Sequence, residues 1–337
     1  MKGRIALVVL LAAGAALLAG VASGRGHSAG STGVGTVFLP NPVAELQNES
    51  LTDQKDADYA ALQPAYHDVT LTDLDGSGTL TGRWAQVVSE TGDPARSATN
   101  TFRYHRNDDR FEQVMAYYWI TEAQKYIQSL GFGTGRYPPV DMQSQRVRIN
   151  QLGYDNSFAT DHPKDELRFG KGGVDDAEDA EVILHEYGHA IHFSQNFSFA
   201  SEEAGAISEG FGDYWAGDVS DIVAPTPDPA CIADWDSTSY TSTVPHCLRR
   251  LDTDLQYPED LDGEVHDDGQ MWSRALWDIR GALGHVRADT IILNAQFDFP
   301  GTTMTALAER TVAAAQQLYG NNAAKAVTTA FAARGIL

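Results

Sequence analysis

Two of the ten histidines in this 337-residue sequence stand four positions apart around a glutamate, in His185-Glu186-Tyr187-Gly188-His189. On a helix, that spacing stacks both imidazoles on one face roughly 5–6 Å apart, near enough to share one metal ion, with Glu186 beside the same point. Zinc in a hydrolytic site takes three protein ligands and keeps one position open. Glu209, within Ser208-Glu209-Gly210-Phe211-Gly212-Asp213, can supply the third. Asp213, one helical turn further on, can accept the free N–H of a ligating imidazole and so fix its tautomer. A zinc ion held this way would polarise a carbonyl and lower the pKa of water toward ~7. The plainer alternative is two amphipathic helices that carry histidine and glutamate on their surfaces.

Such a site needs two helices side by side, and the surrounding pattern predicts them over 175–195 and 203–218, with further helices at 268–284, 301–319 and 322–334. Upstream, Phe111, Val114, Met115, Tyr118, Tyr126, Ile127 and Leu130 recur at helical spacing after Asp108 or Asp109 and before Gly131. Between about 66 and 106, stretches such as HDVTLTDL and NTFRYHR predict a small meander of strands, with a turn at Leu74–Gly78. Short strands are expected near 146–152 and 166–170. Strands first and helices later describe an α+β fold with a cleft between two lobes. A β-rich segment over 37–106 then precedes a catalytic domain over 107–337.

A net charge of −22 repels phosphate backbones, so nucleic acid is not an expected partner. Lys2 and Arg4 precede an apolar run that ends in the small residues Ala19–Gly24, the pattern of a signal peptide over 1–24 cleaved near Ala22. That predicts a secreted, extracellular protein. The uncharged stretch is also long enough to span a bilayer, so a membrane is a partner only if the segment stays uncleaved. The Gly-rich residues 25–36 are expected to form a flexible tether. Two cysteines, Cys231 and Cys247, in an exported chain predict one disulfide.

Other zinc patterns fail on the same residues. A metzincin continues as HExxHxxGxxH, but the last two positions here are His192 and Gln195. His192 is instead expected to be an ordinary packed or solvated histidine.

His185–Gly217, and AGAISEGFGD within it, resembles the thermolysin type of zinc endopeptidase, a gluzincin. The resemblance extends over about residues 100–337. Tyr154–Phe158 followed by ELRFGKGG is similar to that family's substrate-binding edge strand, and Val265–Trp272 to the segment bearing its second active-site histidine. The tryptophan there is closer to the fungalysins. The resemblance implies a thermolysin-like fold with a zinc cleft, with His185, His189 and Glu209 as ligands and Glu186 as general base. It also implies that His266 stabilises the oxyanion, oriented by Asp260 or Asp262. Arg249 would grip a substrate carbonyl, while Asn156 and the main chain of Ser157 would pair with a peptide.

There are departures. The oxyanion tyrosine of the family falls on Ala200, beside Phe199, and Ala159 stands where the edge strand usually carries an aromatic. Calcium joins zinc among the expected cofactors, since eight acids fall within 252–268 and Glu181 occupies a calcium-ligand position in the relatives. Ser220, however, replaces a companion carboxylate there. The function expected is a secreted zinc endopeptidase acting on peptides or proteins. Its alternative is a surface-tethered binding protein with a vestigial or structural zinc site. An aminopeptidase would need an acidic anchor for a free amine, and no motif supplies one.

Overall fold

The computed structural model describes residues 30–88 and 92–337. The expected signal peptide over 1–24 and the first residues of the expected tether lie outside the described residues. The tether's second half is not a tether. Ser31–Val37 forms a strand, β1, which pairs antiparallel with β2 (His67–Leu74) and parallel with β4 (Thr101–Phe102). Its glycines serve close approach: a Cβ on Gly35 would fall 2.5 Å from Val114 Cγ1 on the neighbouring helix. A composition that suggests flexibility is here the condition for tight packing.

The second sheet is built from β3 (Ala85–Val87), β5 (Gln145–Leu152), β6 (Phe158–Thr160) and β7 (Glu166–Gly170), in the order β3-β5-β7-β6. β5 runs parallel to β3 and β7, and β6 closes the sheet antiparallel to β7. β6 therefore keeps one edge unpaired within the sheet. After α1 (Pro42–Leu46), the long helix α2 (Arg110–Ser129) packs on β1, on β3 and on the helix that carries His185 and His189. Phe111, Val114 and Met115 on its apolar stripe are fully buried, each worth about 1.5–3 kcal/mol.

From residue 180 the chain is mainly helical: α3 (Ala180–Ser194), α4 (Glu202–Val223), α5 (Val265–Leu283), α6 (His285–Gln296), α7 (Met304–Tyr319) and α8 (Asn321–Ala332). A short antiparallel pair, β8 (Cys231–Ile232) and β9 (Arg249–Arg250), lies between α4 and α5. The fold is α+β, with strands in the N-terminal half and helices in the C-terminal half. Among the described residues, the larger hydrophobic cluster draws side chains from Val37 to Ile336, on both sides of position 106, and a smaller one gathers Val43, Leu51, Leu62, Val174 and Trp235.

Two expectations shift. The helix expected from 175 begins only at Ala180, because residues 176–178 form a 3-10 turn and Asp179 is the cap, accepting from Glu181 N at 2.9 Å. The acids of 175–178 are thus buried groups and do not form a first helical turn facing solvent. Helix α6 was not expected at all. Its β-branched run Thr290-Ile291-Ile292 has modest helix propensity and is buried, with Leu293, on more than one side, which erases the amphipathic signal.

The two motif helices meet through glycines. A Cβ on Gly188 would lie 2.9 Å from Gly212 Cα. Absence of side chains at this crossing lets α3 and α4 approach backbone to backbone and brings Glu209 level with the histidines.

Candidate metal centre

His185 and His189 project from one face of α3 with ring centroids 4.9 Å apart and planes at 85°. Glu209 reaches them from α4, with Oε2 3.1 Å from His185 Nε2 and Oε1 3.6 Å from His189 Nε2. One donor atom from each of the three residues lies within 4.8 Å of the other two. Two imidazoles and a carboxylate are a donor set that suits zinc.

The far nitrogens of both rings are held. His185 Nδ1 is 2.9 Å from Asp213 Oδ1. A carboxylate accepts only, so Nδ1–H donates to Asp213 and, on a ring held positive between two carboxylates, Nε2–H donates to Glu209; a metal ion would take the place of the Nε2 proton. His189 Nδ1 is 2.8 Å from Ser208 Oγ, which also lies 2.9 Å from His192 Nδ1. With Nδ1 of His189 donating to Ser208, the serine hydroxyl donates to His192 Nδ1. His192 is fully buried and stacked between Phe197 and Phe211, so of the two expected readings, packed or solvated, it is the packed one.

Electrostatics follow from burial and charge. Burial alone would raise Glu209, but His189, His185 and His266 hold its carboxyl far below the usual range. Asp213 is likewise held low against burial, by Arg249 and His185. Burial would lower His185, yet Asp213 and Glu209 bring it up to about 10, whereas His189 falls to about 4, chiefly through burial. Glu186 is pushed up to about 8 by burial, and its Oε2 has no hydrogen-bond partner among the described residues. A cation held between His185, His189 and Glu209 would draw that pKa back down and leave Glu186 an ionised carboxylate with an unused oxygen.

His266 stands in the first turn of α5 with Nε2 3.3 Å from Glu209 Oε2. Its orienting group is neither Asp260 nor Asp262. Glu264 Oε1 lies 2.7 Å from His266 Nδ1, and Glu264 also caps α5. Asp260 instead accepts from Gln256 N, and Asp262 from Glu264 N. Arg249 also differs from expectation. Its Nε and Nη2 bind Asp213 at 2.6 and 2.7 Å, so the fork is engaged with the carboxylate behind His185. The β8–β9 pairing, which sets Ile232 opposite Arg249, and the expected Cys231–Cys247 disulfide hold it there.

Asn156 and Ser157 immediately precede β6 at the open edge of the sheet, and α3 packs against that strand. The Ser157 hydroxyl donates to Asp176. Phe199 packs on Phe193 and Phe197, while Ala200 is exposed. The calcium ligand expected at Glu181 is otherwise engaged: its oxygens accept from Ser220 Oγ at 2.8 Å and Ala233 N at 2.7 Å. The acids of 252–268 serve as caps and ion-pair partners, among them Asp252 with Arg250 and Asp268 with the 262 and 263 amides.

The sequence does not single out Ser208 or Glu264. Their only local signals were adjacency to Glu209 and a position two residues before His266 at a helix start.

No family model matches the chain, and no curated protein matches it. Among solved structures, the precursor of protealysin, a metalloproteinase from Serratia proteamaculans, superposes with a TM-score of 0.56 at 17% identity, over 90% of this chain and 99% of that one. At that identity, the likeness is one of fold.

Proposed function

We propose that this chain is a zinc-dependent endopeptidase, secreted by way of its N-terminal segment, that hydrolyses peptide bonds in peptides or proteins. The observation that carries the reading is the convergence of His185, His189 and Glu209, with Asp213 and Ser208 holding the far ring nitrogens, beside the buried and unpartnered Glu186 oxygen. A fold shared with a metalloproteinase precursor supports it.

Zinc, when bound, supplies a Lewis acid for the scissile carbonyl and a more acidic water. Glu186 takes the water's proton and returns it to the departing amine. The His266 ring, oriented by Glu264, turns Nε2 toward Glu209 and the space where charge develops on the carbonyl oxygen. The free edge of β6 offers main-chain groups to an extended peptide, giving affinity with modest sequence preference.

Glu186→Gln tests the reading. Purified with one zinc still bound, it should lose casein hydrolysis by at least 10²-fold while wild type retains it. Equal activity in the variant would reject Glu186 as the base. Wild-type activity that survives full zinc removal would reject the metal mechanism.

A further inference from the structure

A second group of carboxylates lies outside the histidine site. Asp155 follows β5, Asp176 sits in the 3-10 turn before α3, and Asp236 opens the 3-10 turn after β8. One oxygen from each lies within 4.8 Å of the other two. Asp176 and Asp236 are 2% and 4% exposed, and Oδ1 of each has no hydrogen-bond partner among the described residues. Their other oxygens are engaged, Asp176 Oδ2 by the Ser157 hydroxyl and Asp236 Oδ2 by Tyr240 Oη at 2.5 Å. Two buried oxygens from distant parts of the chain, without donors and among like charges, are costly unless a cation joins them.

We propose that Asp155, Asp176 and Asp236 form a calcium site that clamps the segment leading into edge strand β6 to the turn that launches α3. The donors are all oxygen, which selects a hard cation over zinc. Ligand distances of 2.3–2.6 Å let calcium bridge oxygens spread over this span, whereas magnesium demands a tighter octahedron. Water and the Ser157 and Tyr240 hydroxyls are at hand to complete the shell. Burial, with repulsion from Asp176, pushes Asp155 up to about 8, and bound calcium would offset that repulsion. It would also fix Asp155 next to Asn156, so the metal would order the peptide-docking edge without touching the reaction. The cation site stands apart from the zinc chemistry proposed above; only its effect on peptide docking at β6 rests on that reading.

The experiment uses the zinc-loaded full chain in calcium-free buffer. Terbium should bind with luminescence sensitised by Trp235 and Tyr240, and calcium should displace it. Millimolar calcium should raise Tm by several degrees, more than equal magnesium does. Asp155→Asn, a partly exposed position that tolerates the change, should weaken calcium binding at least tenfold and abolish most of the Tm response. Asp109→Asn, in a separate acidic group with Glu112 and Asp175, should leave both unchanged. Absence of any calcium response in wild type would overturn the site, as would an unaltered affinity in Asp155→Asn or a loss confined to Asp109→Asn. A variant with no calcium phenotype that instead loses preference for lysine- or arginine-containing peptides would reassign the cluster to substrate recognition.

Discussion

Arg249 and Asp213 form a two-point ion pair behind the His185 ring, with Nε–Oδ2 at 2.6 Å and Nη2–Oδ1 at 2.7 Å. The pair keeps Asp213 ionised and aimed at His185 Nδ1. Asp213→Asn keeps the shape and removes the charge, so zinc affinity should fall about 10–100-fold. Arg249→Lys, which replaces a fork with a point charge, should fall between wild type and that variant. Competition with a chromogenic chelator measures both, and wild-type affinity in Asp213→Asn would refute the support role.

The helix crossing is equally specific. A Cβ on Gly212 would lie 2.8 Å from His185 Nδ1 and 2.9 Å from Cε1. Gly212→Ala should displace the ring, weaken zinc binding more than tenfold and cost about 1–3 kcal/mol through overpacking. Gly281, exposed on α5 with nothing near its virtual Cβ, is the control. Gly281→Ala should stabilise the chain by about 0.5–1 kcal/mol. Thermal melts with zinc titrations separate the two.

Asp141 makes a pH prediction. Burial, with Asp165 adding repulsion, pushes its carboxyl up to about 7. Below about pH 4, folded and unfolded chains both keep the proton and nothing is lost. Between about 4 and 7 only the unfolded chain releases it, so stability declines as pH rises, and above 7 the penalty is complete. Asp141→Asn should therefore gain on the order of 2 kcal/mol at pH 8 and nothing near pH 4. The positive φ of 37° at this position also tolerates asparagine. Urea midpoints across that range check it, and a gain independent of pH would contradict the assignment.

The disulfide links β8 to the residue two before Arg249. Replacing Cys231 and Cys247 by serine frees a loop of 16-residue separation, a change worth about 3 kcal/mol in chain entropy. Part of the loss should appear as weaker zinc binding, because Arg249 loses its anchor. An unfolding midpoint that drops while zinc affinity holds would show that the hairpin positions Arg249 without the bridge.

The parts of the site carried by periodicity were legible. His185, His189 and Glu209 meet because an i, i+4 pair and a carboxylate on the next helix share facing surfaces. Asp213 followed from the same turn arithmetic. Arg249 was legible only as a resemblance, and its partner depends on a two-residue strand pair far along the chain. Glu264 lost out to Asp260 and Asp262 because proximity in sequence does not say which carboxylate a helix cap turns inward. Strand β1 was hidden by its glycines, whose role is visible only against their neighbours, Asn100 for Gly33 and Val114 for Gly35.

Residue type and spacing alone thus settled the α+β order of elements, the two-histidine face and the glutamate opposite it, since these follow from backbone periods acting over short stretches. Folding decided where long-range charge goes: which carboxylate meets Arg249, which oxygens of Asp176 and Asp236 are buried without donors, and how near α3 lies to α4. Those outcomes depend on burial and on distances between segments tens of residues apart, and neither quantity is carried by a local pattern.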